Sequence, residues 1–442
     1  MKAKPILALS VGAALFALYS CNSEPVRPGT DDSEANVNAH AREMIAEGRR
    51  IFRYDTFGSE AFWTRTRLHE VIGGSHNGGI GDGITPSKAL DVGLKVDLTK
   101  LPQGMLPLLQ AGSARLSDPA VTLALLKADS VVGLKGFFDG DRLTGLGVTC
   151  ALCHSTVDDS LRHGIGRRRD GWPNRDLNIG AIVALAPDLS AFTQAIGVDD
   201  KTVRTVLNSW GPGKYDAELI FDGKAMRPDG KSGATLIPAA FGLSGVNSHT
   251  WTGAWGTISY WNAYVANTQM HGQGTFYDPR LADKQKYPTP AAGALANKRD
   301  AEDRITGKLA PLHFYQLSLP TPKPPAGTFD ATAASRGEGI FKGKARCATC
   351  HVPPLYTEPG YNLHKAEEIG IDDFQAMRSP DGRYRTTPLR ALWETRKIHR
   401  GGFYHDGRFP TLAEVVSHYD RHFRSQLTEQ EKADLIEFLK SI

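Results

Sequence analysis

Two pentapeptides constrain this chain more than any other feature: Cys150-Ala-Leu-Cys153-His154 and Cys347-Ala-Thr-Cys350-His351. They hold four of the five cysteines. C-x-x-C-H is the attachment signal for c-type haem. Two closely spaced thiols add across vinyl groups fixed on one porphyrin edge, and the adjacent histidine reaches the iron as proximal ligand. Three other chemistries use paired cysteines. A thioredoxin-type pair expects a βαβ context, which this sequence lacks. A zinc site needs two further ligands at matching spacing. Structural disulfides rarely use two-residue spacing twice. The repeated cysteine pair, each time followed by histidine, points instead to two covalently bound haem c groups, with His154 and His351 as proximal ligands.

Composition sets the frame around these motifs. At 442 residues, with 40% hydrophobic and 23% charged side chains, the chain is long enough to bury a core. That composition excludes a disordered or polytopic membrane protein. A net charge of +4 is too small for a nucleic-acid partner at this size. Residues 1–20 read as a signal peptide, with Lys2 and Lys4 ahead of a mostly apolar stretch from Pro5 to Tyr19. The stretch ends in Leu18-Tyr19-Ser20-Cys21, a bacterial lipobox pattern. Lipidation of Cys21 predicts a tether over residues 21–40, polar and carrying Pro25 and Pro28. The predicted location is the periplasm-facing side of a Gram-negative outer membrane, because Asn22 replaces the inner-membrane Asp.

The predicted fold class is mainly α, with two c-type cytochrome domains, the first carrying a large insertion. Residues 331–442 form the compact domain. A helix ending in Ile340 and Phe341 precedes the Cys347 motif, and Thr428 with Glu431 makes a capping box for a terminal helix with Leu435, Phe438 and Leu439 on one face. Residues 319–330 are a Pro-rich linker. Gly48, Ile51 and Phe52 repeat the spacing of Gly337, Ile340 and Phe341, yet their haem motif arrives only at Cys150. Residues 41–318 are therefore the first haem domain, with an insertion at about 55–145. Within it, Asp118-Pro119 predicts a helix over Ala120 to Ser130.

From residue 331 onward the chain resembles the bacterial di-haem cytochrome c peroxidase/MauG superfamily. The resemblance rests on Thr387-Pro388-Leu389-Arg390, Tyr404-His405-Asp406-Gly407 and Leu412-Ala-Glu414-Val415-Val416, in that order. It is looser over about 145–275. It implies that one haem meets peroxide while the other stores or relays an electron. Axial ligation divides these roles, because ligand identity moves haem potential widely. The family's distal-ligand position opposite the second haem, fourteen residues after the histidine of His-Asp-Gly, is Tyr419 here. A methionine stands there in peroxidases and a tyrosine in MauG-like members. Met377 and His418 are rival ligands. Opposite His154, the family's distal histidine is replaced by Arg167; His163 is the substitute candidate, and an open distal face is the preferred reading.

The family's inter-haem tryptophan corresponds to Trp251, with Trp255 and Trp261 close by in sequence. Its Asn-Pro-x-Glu-Met segment corresponds to Asn267-Thr-Gln269-Met270-His271, which lacks the glutamate. That leaves His271 as the nearest acid/base and Gln269 as a group to orient an oxygen species. The family's inter-haem calcium site is not carried over, since Arg400-Gly-Gly402 replaces its Thr-x-Pro. The run Arg167-Arg168-Arg169 reads as a solvated face or a propionate partner. The implied partners are peroxide or dioxygen, a small redox protein, and a membrane through the lipid anchor. The leading function is a peroxidase-type haem oxidoreductase. A non-enzymatic electron-transfer cytochrome and a di-haem oxygenase of an organic substrate, resembling the di-haem rubber oxygenases, are the alternatives.

Overall fold

The computed structural model describes residues 33–112, 115–293 and 295–442. The expected signal peptide, Cys21 and the start of the tether lie outside them. Helix α1 spans Ser33–Tyr54. The tether reading therefore fails from Ser33 onward. Between Ser33 and Gly48 the chain has no glycine or proline and four alanines, so helix propensity prevails over polar composition. Residues 43–442 form one compact unit. It is mainly helical, with five two-stranded sheets among the described residues.

Two helix crossings organise it. Helix α2 (Ala331–Lys342) is capped by Asp330, and helix α4 (Glu429–Ser441) by the Thr428–Glu431 capping box. They cross at Gly337, where a Cβ would lie 2.1 Å from the Asp434 carbonyl oxygen and 2.8 Å from the Phe438 Cβ. Between them in sequence, helix α3 (Leu412–Phe423) carries its own capping box, Thr411 with Glu414. Phe341 is fully buried and meets Phe438 with ring centroids 5.0 Å apart. Ile340 is only partly buried at the edge of this cluster.

The same device recurs earlier in the chain. At Gly48 of α1, a Cβ would meet the Pro311 carbonyl oxygen at 1.9 Å and the Tyr315 Cβ at 2.7 Å. Phe52 is buried and lies edge-on to Tyr315 at 5.6 Å. The helix Leu309–Ser318 thus takes the place that α4 takes against α2. The sequence repeat around Gly48 and Gly337 is a repeat of backbone contact.

Residues 55–145 do not stand apart. Trp63, Leu68, Ile72, Leu125 and Leu146 share one apolar cluster with Ile179, Val203, Leu207 and Trp210. Asp118 caps a helix with Pro at its first turn as expected, its carboxylate accepting from the Ala120 N–H at 2.9 Å. That helix stops at Lys127 rather than Ser130, and Asp129 turns the chain with φ +55°. The antiparallel hairpin Leu134–Asp139/Arg142–Val148 then delivers the chain to Cys150. Arg168 is neither solvated nor free: its buried side chain pairs with buried Asp97 at 3.0 Å.

Gly337→Ala tests the crossing. Helix propensity alone favours alanine by about 1 kcal/mol, but the missing space reverses the sign, with a net loss of roughly 1–3 kcal/mol. Denaturant unfolding of the variant should show a lower midpoint; a higher one would mean the helices can separate freely.

Candidate functional site

Cys150 begins a one-turn helix, Ala151–His154, immediately after the hairpin. Gly133 makes this approach possible: its φ is +84°, and a Cβ there would lie 2.1 Å from the Leu152 Cα. Both thiols are free, and burial pushes each up to about 12. With nothing bound to them, burial keeps both as neutral thiols. Burial also pulls His154 down to about 4, opposed in part by the Pro238 carbonyl, which keeps the ring in the neutral, ligating form.

These three residues line a cavity of about 670 Å³. Trp251, Gln269 and His271, widely separated from His154 in sequence, line the same cavity. Trp251 donates its indole N–H to the Leu236 carbonyl at 2.9 Å. The Gln269 amide nitrogen is buried without a protein partner. His271 follows the helix Ile258–Thr268, sits at φ +59° and stacks on Phe62 at 3.6 Å. Burial lowers it to about 3, so it is a neutral imidazole near pH 7.

Two arginines mark the cavity for an anion. Arg385 and Arg390 both line it, and among the described residues neither reaches a carboxylate. Arg385 donates to the carbonyls of Thr250 and, at 2.6 Å, Ser248. Arg390 donates to the carbonyls of Gly242 and, at 2.6 Å, Phe241. Burial lowers them to about 9 and about 10. Buried cations without counter-charges are costly, and the carboxylates of haem propionates are the complement these residues lack. The donor set and cavity therefore fit a covalently held haem at Cys150–His154.

The second motif is held differently. Cys347–Thr349 is a short 3₁₀ turn, entered from Arg346 at φ +54°. The His351 Nδ1 lies 3.0 Å from the Tyr356 carbonyl oxygen. That bond fixes the ring and leaves Nε2 as the ligating nitrogen, the arrangement expected of a histidine on iron. Tyr419, on α3, lies near Cys347 and Cys350; burial pushes its phenol up to about 12, opposed in part by the Tyr404 hydroxyl. Its ring is tilted against Tyr404 at 6.1 Å.

The rivals fare less well. Met377 is 53% exposed. His418 holds its Nε2 3.0 Å from the Ile369 carbonyl oxygen. His163 is 69% exposed beside Asp159 and does not line the first cavity. Trp255 and Trp261, noted beside Trp251 in the sequence, line it too, whereas sequence reasoning missed His249 and Glu218, which also line it. Arg390 lay inside the Thr-Pro-Leu-Arg motif, so its importance was visible; Glu218 carried no local signal.

No family model matches the chain. MauG, the methylamine utilization protein of Methylorubrum extorquens, is 24% identical over 222 residues, covering 43% of this chain and 62% of its own. The cytochrome-c peroxidase IdrP1 of Pseudomonas sp. strain SCT is 26% identical over 161 residues, covering 25% of this chain and 40% of its own. The chain is a relative of the di-haem cytochrome c peroxidase and MauG family. It spans less than two thirds of the length of either relative. A solved MauG-like protein associated with microbial copper homeostasis is 20% identical over 49% of this chain and 75% of its own, with a TM-score of 0.31, too loose a superposition to establish a common fold.

Buried neutral histidines make the protein acid-sensitive. Besides His271, burial lowers His249 and His399 to about 3 and His405 to about 4. Each folded value lies below the unfolded value near 6.5. The stabilisation is complete above that value and is lost as pH falls towards 3–4, at up to about 1.4 kcal/mol per pH unit for each histidine. Unfolding midpoints should drop from pH 6.5 to 4, and His399→Phe should make the decline shallower; an unchanged slope would contradict this.

Proposed function

We propose that this protein is a di-haem c-type oxidoreductase, with peroxide or dioxygen reacting at the His154 haem and electrons stored or relayed at the His351 haem. The observation that carries the reading is the contrast between the two motifs. His154 opens on a large, mostly apolar cavity, whereas Tyr419 stands beside the thiols of the second motif. Haem supplies one-electron chemistry and an iron that binds oxygen species. The chain supplies position, dryness and charge. With haem bound, His154 and His351 would hold the irons, Arg385 and Arg390 would meet propionates, and Tyr419 would be a ligand to the second iron. A phenolate there favours ferric iron more than methionine does. Trp251, on the cavity wall, is the relay between the haems, while Gln269 orients the bound oxygen species.

The proposal extends to organisation and place. Residues 41–318 and 331–442 are the two haem modules, 319–330 the linker, and 55–145 an insertion that builds one cavity wall. A small redox protein is the electron partner. The chain is exported and held at the outer membrane through Cys21; no described helix is long and apolar enough to cross a membrane. A second reading, oxygenation of an organic substrate, is favoured by the apolar residues the insertion brings to the cavity, Leu68, Ile72 and Ile84, and by the half-exposed Leu185 among its lining residues.

Denatured protein extracted with acid-acetone should retain two haems per chain; fewer would contradict covalent attachment at both motifs. Tyr419→Phe should leave the second haem high-spin and able to bind carbon monoxide. A wild-type spectrum in that variant would move the ligand assignment to His418.

A further inference from the structure

The cavity wall contains a cluster that the haem chemistry above does not use. Arg378, on the short helix Phe374–Arg378, is 1% exposed. It pairs with Asp216 at 2.9 Å and Asp222 at 2.8 Å, both carboxylates being almost fully buried. A third carboxyl, Glu218, lies between them in sequence and is 4% exposed. Its only side-chain partner among the described residues is neutral: the Gln375 amide donates to its Oε2 at 3.1 Å.

One guanidinium cannot balance three buried carboxylates. Asp216 and Asp222 bond Arg378 directly and together with it still carry a net negative charge, and burial raises Asp216 as well; the third carboxyl, Glu218, has no cation bonded to it and holds a proton instead. Burial is the main force in that direction; Asp216 and Asp222 add like charge, while Arg378 and Gln375 oppose. The result is a carboxyl raised to about 7. The other titratable groups facing it are Tyr215, Tyr264 and Tyr287, all kept neutral by burial. Tyr264 is stacked between Trp255 at 4.9 Å and Trp261 at 5.1 Å, and its hydroxyl has no protein partner.

Glu218 itself lines the cavity shared by His154, Gln269 and His271. His271, the acid/base expected from sequence, is a neutral imidazole at pH 7 and supplies no imidazolium acid there. We propose that Glu218 is the proton-exchanging carboxyl of the first cavity. This rests on the peroxide reading above. Cleavage of the peroxide O–O bond takes two electrons, drawn through the haems from a one-electron redox-protein donor, and two protons. The Glu218 carboxylic acid gives one of them to one oxygen, so that it leaves as water; the second proton comes from solvent and the other oxygen is released as the second water, and the Glu218 carboxylate is reprotonated from solvent. Gln375 and Arg378 act through Glu218 and are positioning residues. Both come from the second module, so that module sets the proton affinity of the first module's cavity.

The holoprotein tests this with Glu218→Gln and Glu218→Asp in two measurements. Stopped-flow mixing with hydrogen peroxide should show the haem spectral change slowed about 100-fold or more in Glu218→Gln. The neutral-range step in the wild-type pH profile should vanish in that variant and return, shifted, in Glu218→Asp. An unchanged rate and profile in Glu218→Gln overturns the assignment while leaving the proposed function standing. Infrared difference spectra between pH 5.5 and 8.5 should show a protonated-carboxyl band that titrates near neutrality and is absent from Glu218→Gln. If wild type is inert to peroxide, the peroxide reading fails, and the infrared band alone decides: present and lost on substitution, Glu218 is still the exchanging group; absent from wild type, the inference is overturned.

Discussion

Two half-buried guanidinium groups set the terms for the centre of this molecule. Among the described residues, Arg385 and Arg390 donate only to backbone carbonyls, in a cavity wall built from both halves of the chain. A protein interior does not tolerate isolated cations unless something anionic completes them. The cavity before them, bordered by Cys150, Cys153 and His154, is the place for that anion. On this account the haem-free chain is an unfinished core. Attachment of haem completes its charge balance and its packing together.

The carboxylates around Arg378 follow the same rule in reverse. Arg378 bonds two carboxylates and fixes the wall, leaving a net negative charge there; the neighbouring third carboxyl, with no cation bonded to it, takes up a proton. The contrast between the arginines and Glu218 gives the cavity one face that attracts anions and one that exchanges protons. Both faces depend on residues from the C-terminal part of the chain, Arg385, Arg390, Gln375 and Arg378, acting on a haem motif that lies about two hundred residues earlier. The C-terminal part of the chain therefore shapes the chemistry at the earlier motif.

Much of this was legible in the sequence because it depends on local spacing. The two C-x-x-C-H motifs, the capping box at Thr428 and the Gly48/Gly337 repeat are short patterns whose geometry follows from a helix or turn. The repeat foretold that two helices start alike; it did not foretell that Leu309–Ser318 would serve as the partner of α1, since that helix carries no matching motif. The tether was misread beyond Ser33 because polar composition was weighed above the absence of helix breakers. Arg168 was misread because a run of three arginines looks solvated, and only the fold brings Asp97 to the middle one. Glu218 had no signal at all. Its character comes from Arg378 and Gln375, more than 150 residues away, and from burial, neither of which a sequence displays.

The central claim is that the two haem motifs build unlike irons, one open at His154 and one closed by Tyr419. Electron paramagnetic resonance of the oxidised holoprotein measures this without a substrate or donor. The account predicts one high-spin ferric signal, lost in His154→Ala, together with one low-spin signal that persists in that variant. Two low-spin signals in the wild type, or a high-spin signal that survives His154→Ala and disappears in His351→Ala, would contradict it.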